Sequence, residues 1–500
     1  MANYRSLFRT LGGCLRHAGY IDGHRLEGLG DQLRVEDPST ETEIAALPGL
    51  SGEQIADAIQ AARRAFDRGD WSERPAHERA ALLRRFADAL NRRAASISEL
   101  IIAEAGCPKQ SPAMSSQVQL PLRQAHEILN LFLSLPETED NPLPLKDRVN
   151  ALGQTIQSLR RYTPIGVVAA IAAYNFPFLT ALWKVMPALV TGNSVILRPS
   201  PLTPLSAMVF ADAADEAELP PGVLNVVLES GIEGARMLTT HPAIDMVAFT
   251  GSTNVGMQVM SQASSTMKRL QLELGGKSAQ IFLPDMVERA AAVVAGVCTA
   301  HAGQGCALGT RVFVPEDRKA AVLEQIAAAL PRIRIGSAHD ADTQLGPVIS
   351  AAQRARCEHF VDLAVTHGAR VVTGGKRPAH LAKGYFFEPT VLDVPDNGNP
   401  TAQEEIFGPV VCVIGFRDLD HAVAMANDSR YGLSGYVHGL DRAQALKTGL
   451  RIRSGTVNVN AGLMSTYVSS GGQRASGIAR ERGVEGLRLY QQMSCLNIGG

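Results

Sequence analysis

From Ile165 onward, short apolar runs alternate with stretches of helical spacing. The runs are Ile165–Ala173, Ser194–Leu197, Leu224–Leu228 and Met246–Phe249, then Ala279–Leu283, Arg311–Val314, Val410–Phe416 and Thr456–Asn460. Strands apolar on both faces belong in parallel sheets, whose crossover helices cover each side. The pattern predicts an α/β fold of two units meeting near residue 275. The N-terminal third instead reads as helical. Ser51 and Gln54 form a capping box ahead of Ile55, Ile59, Ala62 and Phe66, and a second helix from about His77 carries Leu82, Phe86 and Leu90 on one face. Asn141-Pro142-Leu143-Pro144 reads as a linker, and strand-like alternation follows over Gln154–Leu159.

Composition narrows the function classes. The chain has 500 residues, 45% hydrophobic and 19% charged, too many for one simple core. A formal net charge of −1 offers no electrostatic reason for nucleic acid or an anionic membrane as partner. No apolar run reaches the roughly 20 residues needed to span a bilayer. Seven cysteines lie scattered with no C-x-x-C pairing, which argues against a disulfide framework or a metal site and for a reducing compartment. Arg5, Arg9 and Arg16 precede the first acid, Asp22, as in transit peptides, but no apolar stripe accompanies them. A cytoplasmic location is expected.

Four segments carry candidate chemistry. In Gly303-Gln304-Gly305-Cys306, small neighbours leave a thiolate open to attack a carbonyl, although a lone cysteine is more often a small buried hydrophobe, as Cys298 reads. Glu273, between Leu272 and Leu274 at a strand end, is expensive to bury; it is either a general base of raised pKa or one side of a salt bridge to Lys277. Asn175 follows a strand and either donates to a developing oxyanion or forms a turn. Phe249-Thr250-Gly251-Ser252, ahead of a helix, presents free N–H groups suited to a phosphate, or a simple N-cap; it is not the G-x-G-x-x-G fingerprint.

In this order the four segments resemble the aldehyde dehydrogenase superfamily. The resemblance runs from about Tyr20 to Gly486 and includes Gly192–Ser200, Gly384–Thr390, Glu404–Pro409, Asn427–Leu433 and Ser476-Gly477. It implies an aldehyde-dehydrogenase-like fold: a Rossmann-like cofactor domain over 1–142 and 164–274, an α/β catalytic domain over 275–487, and a small oligomerisation hairpin with the C-terminal strand over 143–163 and 488–500. A dimer or tetramer follows, since an exposed strand edge calls for a partner.

The implied chemistry places Cys306 as nucleophile, Asn175 with the Cys306 N–H as oxyanion site, and Glu273 as the base that activates water against the thioester. The cofactor would meet Ile171, Ala172, Ala173, Tyr174, Arg198, Pro201, Gly231, Phe249, Gly251, Ser252, Leu274, Glu405 and Phe407. A CoA-acylating dehydrogenase would share Cys306, but Glu273 favours hydrolysis. Departures from the family pattern bear on detail. Arg198 stands where the family usually has Lys, and Pro201 where NAD-preferring members often have Glu. NAD is the expected cofactor and NADP the alternative, because Arg198 is also a candidate phosphate partner. His301 replaces a common Asn five residues before the nucleophile and is expected to fill space or bond backbone. Tyr174 replaces a common Trp, and Ser469-Ser470 a common Pro-Phe. The tunnel segment Phe176, Phe178, Leu179, Thr180 and Trp183, with Leu463, Met464 and Tyr467, is apolar and offers no cation for a second carboxylate. It predicts a hydrophobic aldehyde: aromatic, terpenoid or medium-chain.

Overall fold

The structure is a computed structural model that describes residues 17–499. The arginines 5, 9 and 16 and the last residue of the expected C-terminal strand lie outside the described residues. An eight-stranded sheet runs in the order Gly477–Ile478, Arg269–Glu273, Met246–Thr250, Val167–Ile171, Ser194–Arg198, Leu224–Val227, Gly19–Ile21 and His24–Leu26. Its five central strands are mutually parallel. Val167–Ile171 and Ser194–Arg198 are buried at every position, as two-sided coverage by helices demands. The chain winds outward in both directions from Val167–Ile171, so a crevice opens where this strand meets Met246–Thr250. In open α/β sheets ligands sit in that crevice, beyond the strands' carboxyl ends.

A second, seven-stranded sheet runs Arg370–Thr373, Thr390–Asp393, Val410–Phe416, Arg311–Pro315, Ala279–Phe282, Ser434–His438 and Thr456–Val459, antiparallel only at its first pair. The expected strands thus all form, each within a few residues of its apolar run. The helical reading of the N-terminal third holds for Gly52–Asp67, whose Ser51–Gln54 capping box is formed, and for Ala76–Arg92. It misses four strands ahead of them, Gly19–Ile21, His24–Leu26, Gln32–Asp37 and Thr42–Pro48. The first two are three residues long, too short for periodicity to register, and are fixed by pairing with each other and with Leu224–Val227.

Asn193 shows how the cofactor-side sheet is held in place. Its Oδ1 accepts from the N–H groups of Ile165 and Gly166 at 2.8 and 2.9 Å, and its Nδ2 donates to the carbonyls of Ala188 and Tyr490 at 3.1 and 2.9 Å. A fully buried amide is satisfied on both sides while joining a strand entry, a helix end and the C-terminal segment. A third, three-stranded sheet pairs Thr138–Asp140, Ile156–Pro164 and Gln491–Gly499. The last of these is an edge strand exposing Met493, Leu496 and Ile498. Among the described residues no helix is long and apolar enough to cross a membrane, and no group of three His, Cys, Asp or Glu is placed to hold a metal ion.

Candidate active site

Beyond the carboxyl ends of Val167–Ile171 and Met246–Thr250 lies a cavity of about 1170 Å³. The seven-stranded sheet lines its far side through Ser434, Tyr436, Thr456 and Asn458. The three candidate catalytic residues meet there. Pro177 opens the helix Pro177–Val190, which stops the chain after its first parallel strand and leaves Asn175 in the connecting turn. The Asn175 carbonyl accepts from Gln117 Nε2 at 2.7 Å, and its Nδ2 donates to the Gln304 carbonyl at 2.8 Å. One N–H of the amide is thus spent on holding the cysteine turn, and the second remains for a ligand.

That turn is unusual backbone. His301, Ala302 and Gly303 follow one another at φ of 51°, 52° and 71°, a left-handed run that side chains disfavour. A Cβ on Gly303 would lie 2.1 Å from the Gly408 carbonyl oxygen, and one on Gly276 would lie 2.6 Å from that of Cys306. Both glycines therefore permit close backbone approach around the nucleophile candidate. His301 is fully buried; its ring stands edge-on to Phe176 with centroids 5.6 Å apart, and neither ring nitrogen has a hydrogen-bond partner. Of the two roles expected for it, filling space is what it does. Burial holds its imidazole down to about 4, so it is neutral near pH 7.

Burial first, then the carboxylates Glu405, Glu273 and Glu481, push the Cys306 thiol up to about 12. The cofactor-free protein accordingly keeps Cys306 as a thiol at neutral pH. Alkylation by iodoacetamide, followed by peptide mass mapping, should accelerate about tenfold per pH unit between roughly pH 7 and 9. A rate already maximal at pH 7 would show a thiolate preformed without ligand.

Glu273 sits at the end of Arg269–Glu273, and its Oε1 is buried without a hydrogen-bond partner. Burial and the adjacent Glu481 hold its carboxyl well above the usual range, against the pull of Lys184, Arg480 and Arg482. The alternative bridge from Lys277 to Glu273 is not made; Lys277 is buried with an unpartnered Nζ. The charge pair that does form is Lys184 with Glu481 at 2.9 Å, and Lys184 Nζ also donates to Thr250 Oγ1 at 2.6 Å. Removing either partner alone would strand a buried charge at a cost of about 3–5 kcal/mol.

Lys184, Glu481 and Arg482 are the functional-site residues that sequence reasoning missed. Lys184 left a signal, being the one cation in an otherwise apolar helix whose charge must find a partner inside. Glu481 and Arg482 left none, because the run Arg480-Glu481-Arg482 reads as a solvated surface. Arg482 lines the cavity, with its guanidinium 5.0 Å from the Trp183 ring centroid and held by Ser470 Oγ at 3.1 Å and the Ser465 carbonyl at 3.0 Å. It supplies a cation to a wall that the tunnel segment alone lacks.

Ile171, Ala172, Ala173, Tyr174, Arg198, Phe249, Gly251, Ser252, Leu274, Glu405 and Phe407 line the cavity, whereas Pro201 and Gly231 do not. Phe176, Leu179, Thr180, Trp183, Leu463 and Met464 line it as well, while Phe178 is core, packed on Phe210 at 5.3 Å, and Tyr467 lies outside the lining. The donor set fits a dinucleotide. Ser252 N-caps the helix Thr253–Ala263, presenting the helix's positive end to the cavity. Glu405, held by the Gly276 N–H at 2.9 Å and raised to about 7 by burial, faces the same space. Tyr174 and Phe407 stand edge-to-face at 5.9 Å beside it.

Residues 26–496 match the model of the aldehyde dehydrogenase family. The chain belongs to that family. It is 36% identical to a geranial dehydrogenase of Castellaniella defragrans over 463 residues, covering 92% of this chain and 94% of the relative. A betaine aldehyde dehydrogenase of Bacillus subtilis is 32% identical over 481 residues, covering 95% and 96%. Among solved structures, a cysteine-to-alanine mutant of aldehyde dehydrogenase C from Pseudomonas syringae, in complex with NAD+ and octanal, superposes with a TM-score of 0.89 at 34% identity and covers 96% of each chain. The NAD+ complex of betaine aldehyde dehydrogenase from Staphylococcus aureus superposes at 0.93 with 32% identity, covering 99% of this chain and 97% of that one. The fold of this aldehyde dehydrogenase is therefore the family's.

Proposed function

We propose that this aldehyde dehydrogenase oxidises a hydrophobic aldehyde (aromatic, terpenoid or medium-chain) to its carboxylic acid, with NAD+ as cofactor. The observation that carries the reading is the meeting of Cys306, Asn175 and Glu273 on one cavity whose outer walls are Phe176, Leu179, Trp183, Leu463 and Met464. Cys306 gives its thiol proton to water, its Sγ attacks the carbonyl carbon, and the Asn175 amide with the Cys306 N–H receives the oxyanion. The nicotinamide cofactor, when bound, supplies the hydride acceptor that leaves Cys306 as a thioester. Glu273 then takes a proton from water as that water attacks the thioester. Glu481 raises the basicity of Glu273, and Lys184 keeps the pair of acids from becoming two uncompensated buried charges. Ser252 and its helix end would hold the pyrophosphate, and Glu405 the ribose next to the nicotinamide.

The relatives differ in substrate, and the cavity favours one kind. Geranial and octanal are uncharged and apolar, whereas betaine aldehyde is a cation. Arg482 over Trp183 puts a positive charge on the tunnel wall, which repels a quaternary ammonium and occupies the aromatic face that would otherwise attract it. A kinetic panel tests the reading. Octanal, benzaldehyde and geranial should each exceed betaine aldehyde in kcat/KM, by about tenfold or more. Acid should form equally well without CoA. Faster turnover of betaine aldehyde, or a requirement for CoA, would overturn it.

Two further expectations accompany this function. The cofactor half is read on the eight-stranded sheet and the catalytic half on the seven-stranded one, with Gly477–Ile478, inside the expected 275–487 stretch, returning to the first sheet; the exposed edge of Gln491–Gly499 supports self-association as a dimer or tetramer. Six unpaired cysteines among the described residues suit a reducing, cytoplasmic compartment.

A further inference from the structure

The sequence leaves the cofactor preference open, because Pro201 removes a carboxylate and Arg198 adds a guanidinium. A different acid closes the question. Arg198 ends the strand Ser194–Arg198 and lines the cofactor side of the cavity. Its Nε donates to Glu229 Oε1 at 2.9 Å and its Nη2 to the Gly231 carbonyl at 2.7 Å. Both side chains are buried, 8% and 5% exposed, so solvent screens their interaction little.

Glu229 cannot swing away from this pairing. Its Oε2 accepts from the Gly234 N–H at 2.8 Å, and its Oε1 also accepts from the Ala235 N–H at 2.9 Å, both at the start of the helix Glu233–Thr240. The carboxylate is thus fixed by three donors on two elements. Arg198 is left with a neutralised charge and with N–H groups on its Nη1 and Nη2 still able to donate. Such a group suits hydroxyl acceptors. A 2′-phosphate carries roughly two negative charges and would have to bind an arginine already paired, beside a carboxylate that cannot retreat.

We propose that the buried Arg198–Glu229 pair sets the dinucleotide preference of this enzyme, selecting the free ribose hydroxyls of NAD+ and excluding the 2′-phosphate of NADP+. The proposal rests on the cavity being the dinucleotide site. Glu229 takes over the discrimination that a carboxylate at position 201 would exert. It acts through Arg198 and is a positioning and charge-setting residue.

Direct binding tests this without aldehyde turnover. The wild-type protein, Glu229→Gln and Arg198→Gln are titrated with NAD+ and with NADP+ by calorimetry. The wild type should bind NAD+ at least about tenfold more tightly than NADP+. Glu229→Gln, nearly isosteric and keeping one accepting oxygen where the carboxylate has two, should tighten NADP+ by about tenfold and change NAD+ less than about threefold. Arg198→Gln leaves the carboxylate uncompensated and should move the preference the other way, weakening NADP+ more than NAD+. The opposite signs separate a charge effect from general damage, and the second variant decides the matter if the first does not fold. A wild type that prefers NADP+, or an NADP+/NAD+ ratio unmoved in the folded variants, would overturn the proposal while leaving the dinucleotide site intact. Failure of the wild type to bind either dinucleotide would overturn the site assignment along with it.

Discussion

Replacing Cys306 by alanine should abolish aldehyde-dependent NADH formation, lowering kcat by on the order of 10^5 or more, the scale on which loss of a covalent nucleophile is felt. The physical reason is that Cys306 is the one thiol lining the cavity among the described residues. The remaining cysteines of the described residues are either buried in the cores or, for Cys495, on the C-terminal edge strand. The effect should fall on chemistry alone. Cys306 is only half-buried, so the melting temperature should stay within about 2 °C of wild type. Calorimetric binding of NAD+ should persist. NADH production at the wild-type rate by a folded Cys306→Ala protein would end the reading of Cys306 as nucleophile.

Glu273→Gln should produce a different signature. Attack and hydride transfer need no base at position 273 on the proposed scheme, so rapid mixing should still show a burst of NADH close to one per site. Steady-state turnover should then fall by about 10² to 10⁴, because the thioester waits for unassisted water. Mass spectrometry of the quenched protein should find the acyl group on the peptide holding Cys306. The pH profile follows from the same residue. Burial and Glu481 raise the Glu273 carboxyl, and the base must be ionised to work. Deacylation should therefore rise with pH through that elevated value and level off above it, and this limb should vanish in Glu273→Gln. Loss of the burst together with turnover would place Glu273 before the thioester instead.

The two variants probe residues whose local signals were of uneven quality. Cys306, read in its own segment, is no better than a core cysteine, and Cys298, which reads the same way, is fully buried against the Pro409 carbonyl. Glu273 admits two readings until its surroundings are known. The family resemblance favours one reading of each earlier than physics can, and the fold then brings the residues together: Asn175 and Cys306 lie in turns beside different sheets and are joined through the Gln304 carbonyl.

Local pattern, by itself, determined a good deal of this protein. Apolar runs specify the parallel strands because burial on both faces is a property of each run alone. The Ser51–Gln54 capping box specifies a helix start because its two hydrogen bonds span three residues. The tertiary structure decided whatever depends on charges meeting across the fold. Lys184 and Glu481 are 297 positions apart, and Arg198 and Glu229 are 31 apart on neighbouring strand ends. No periodicity encodes such pairs, yet at low local dielectric they govern which acid is a base and which arginine is free. The linear chain therefore reveals where the backbone goes, and the folded one reveals which of its ionisable groups are left to act.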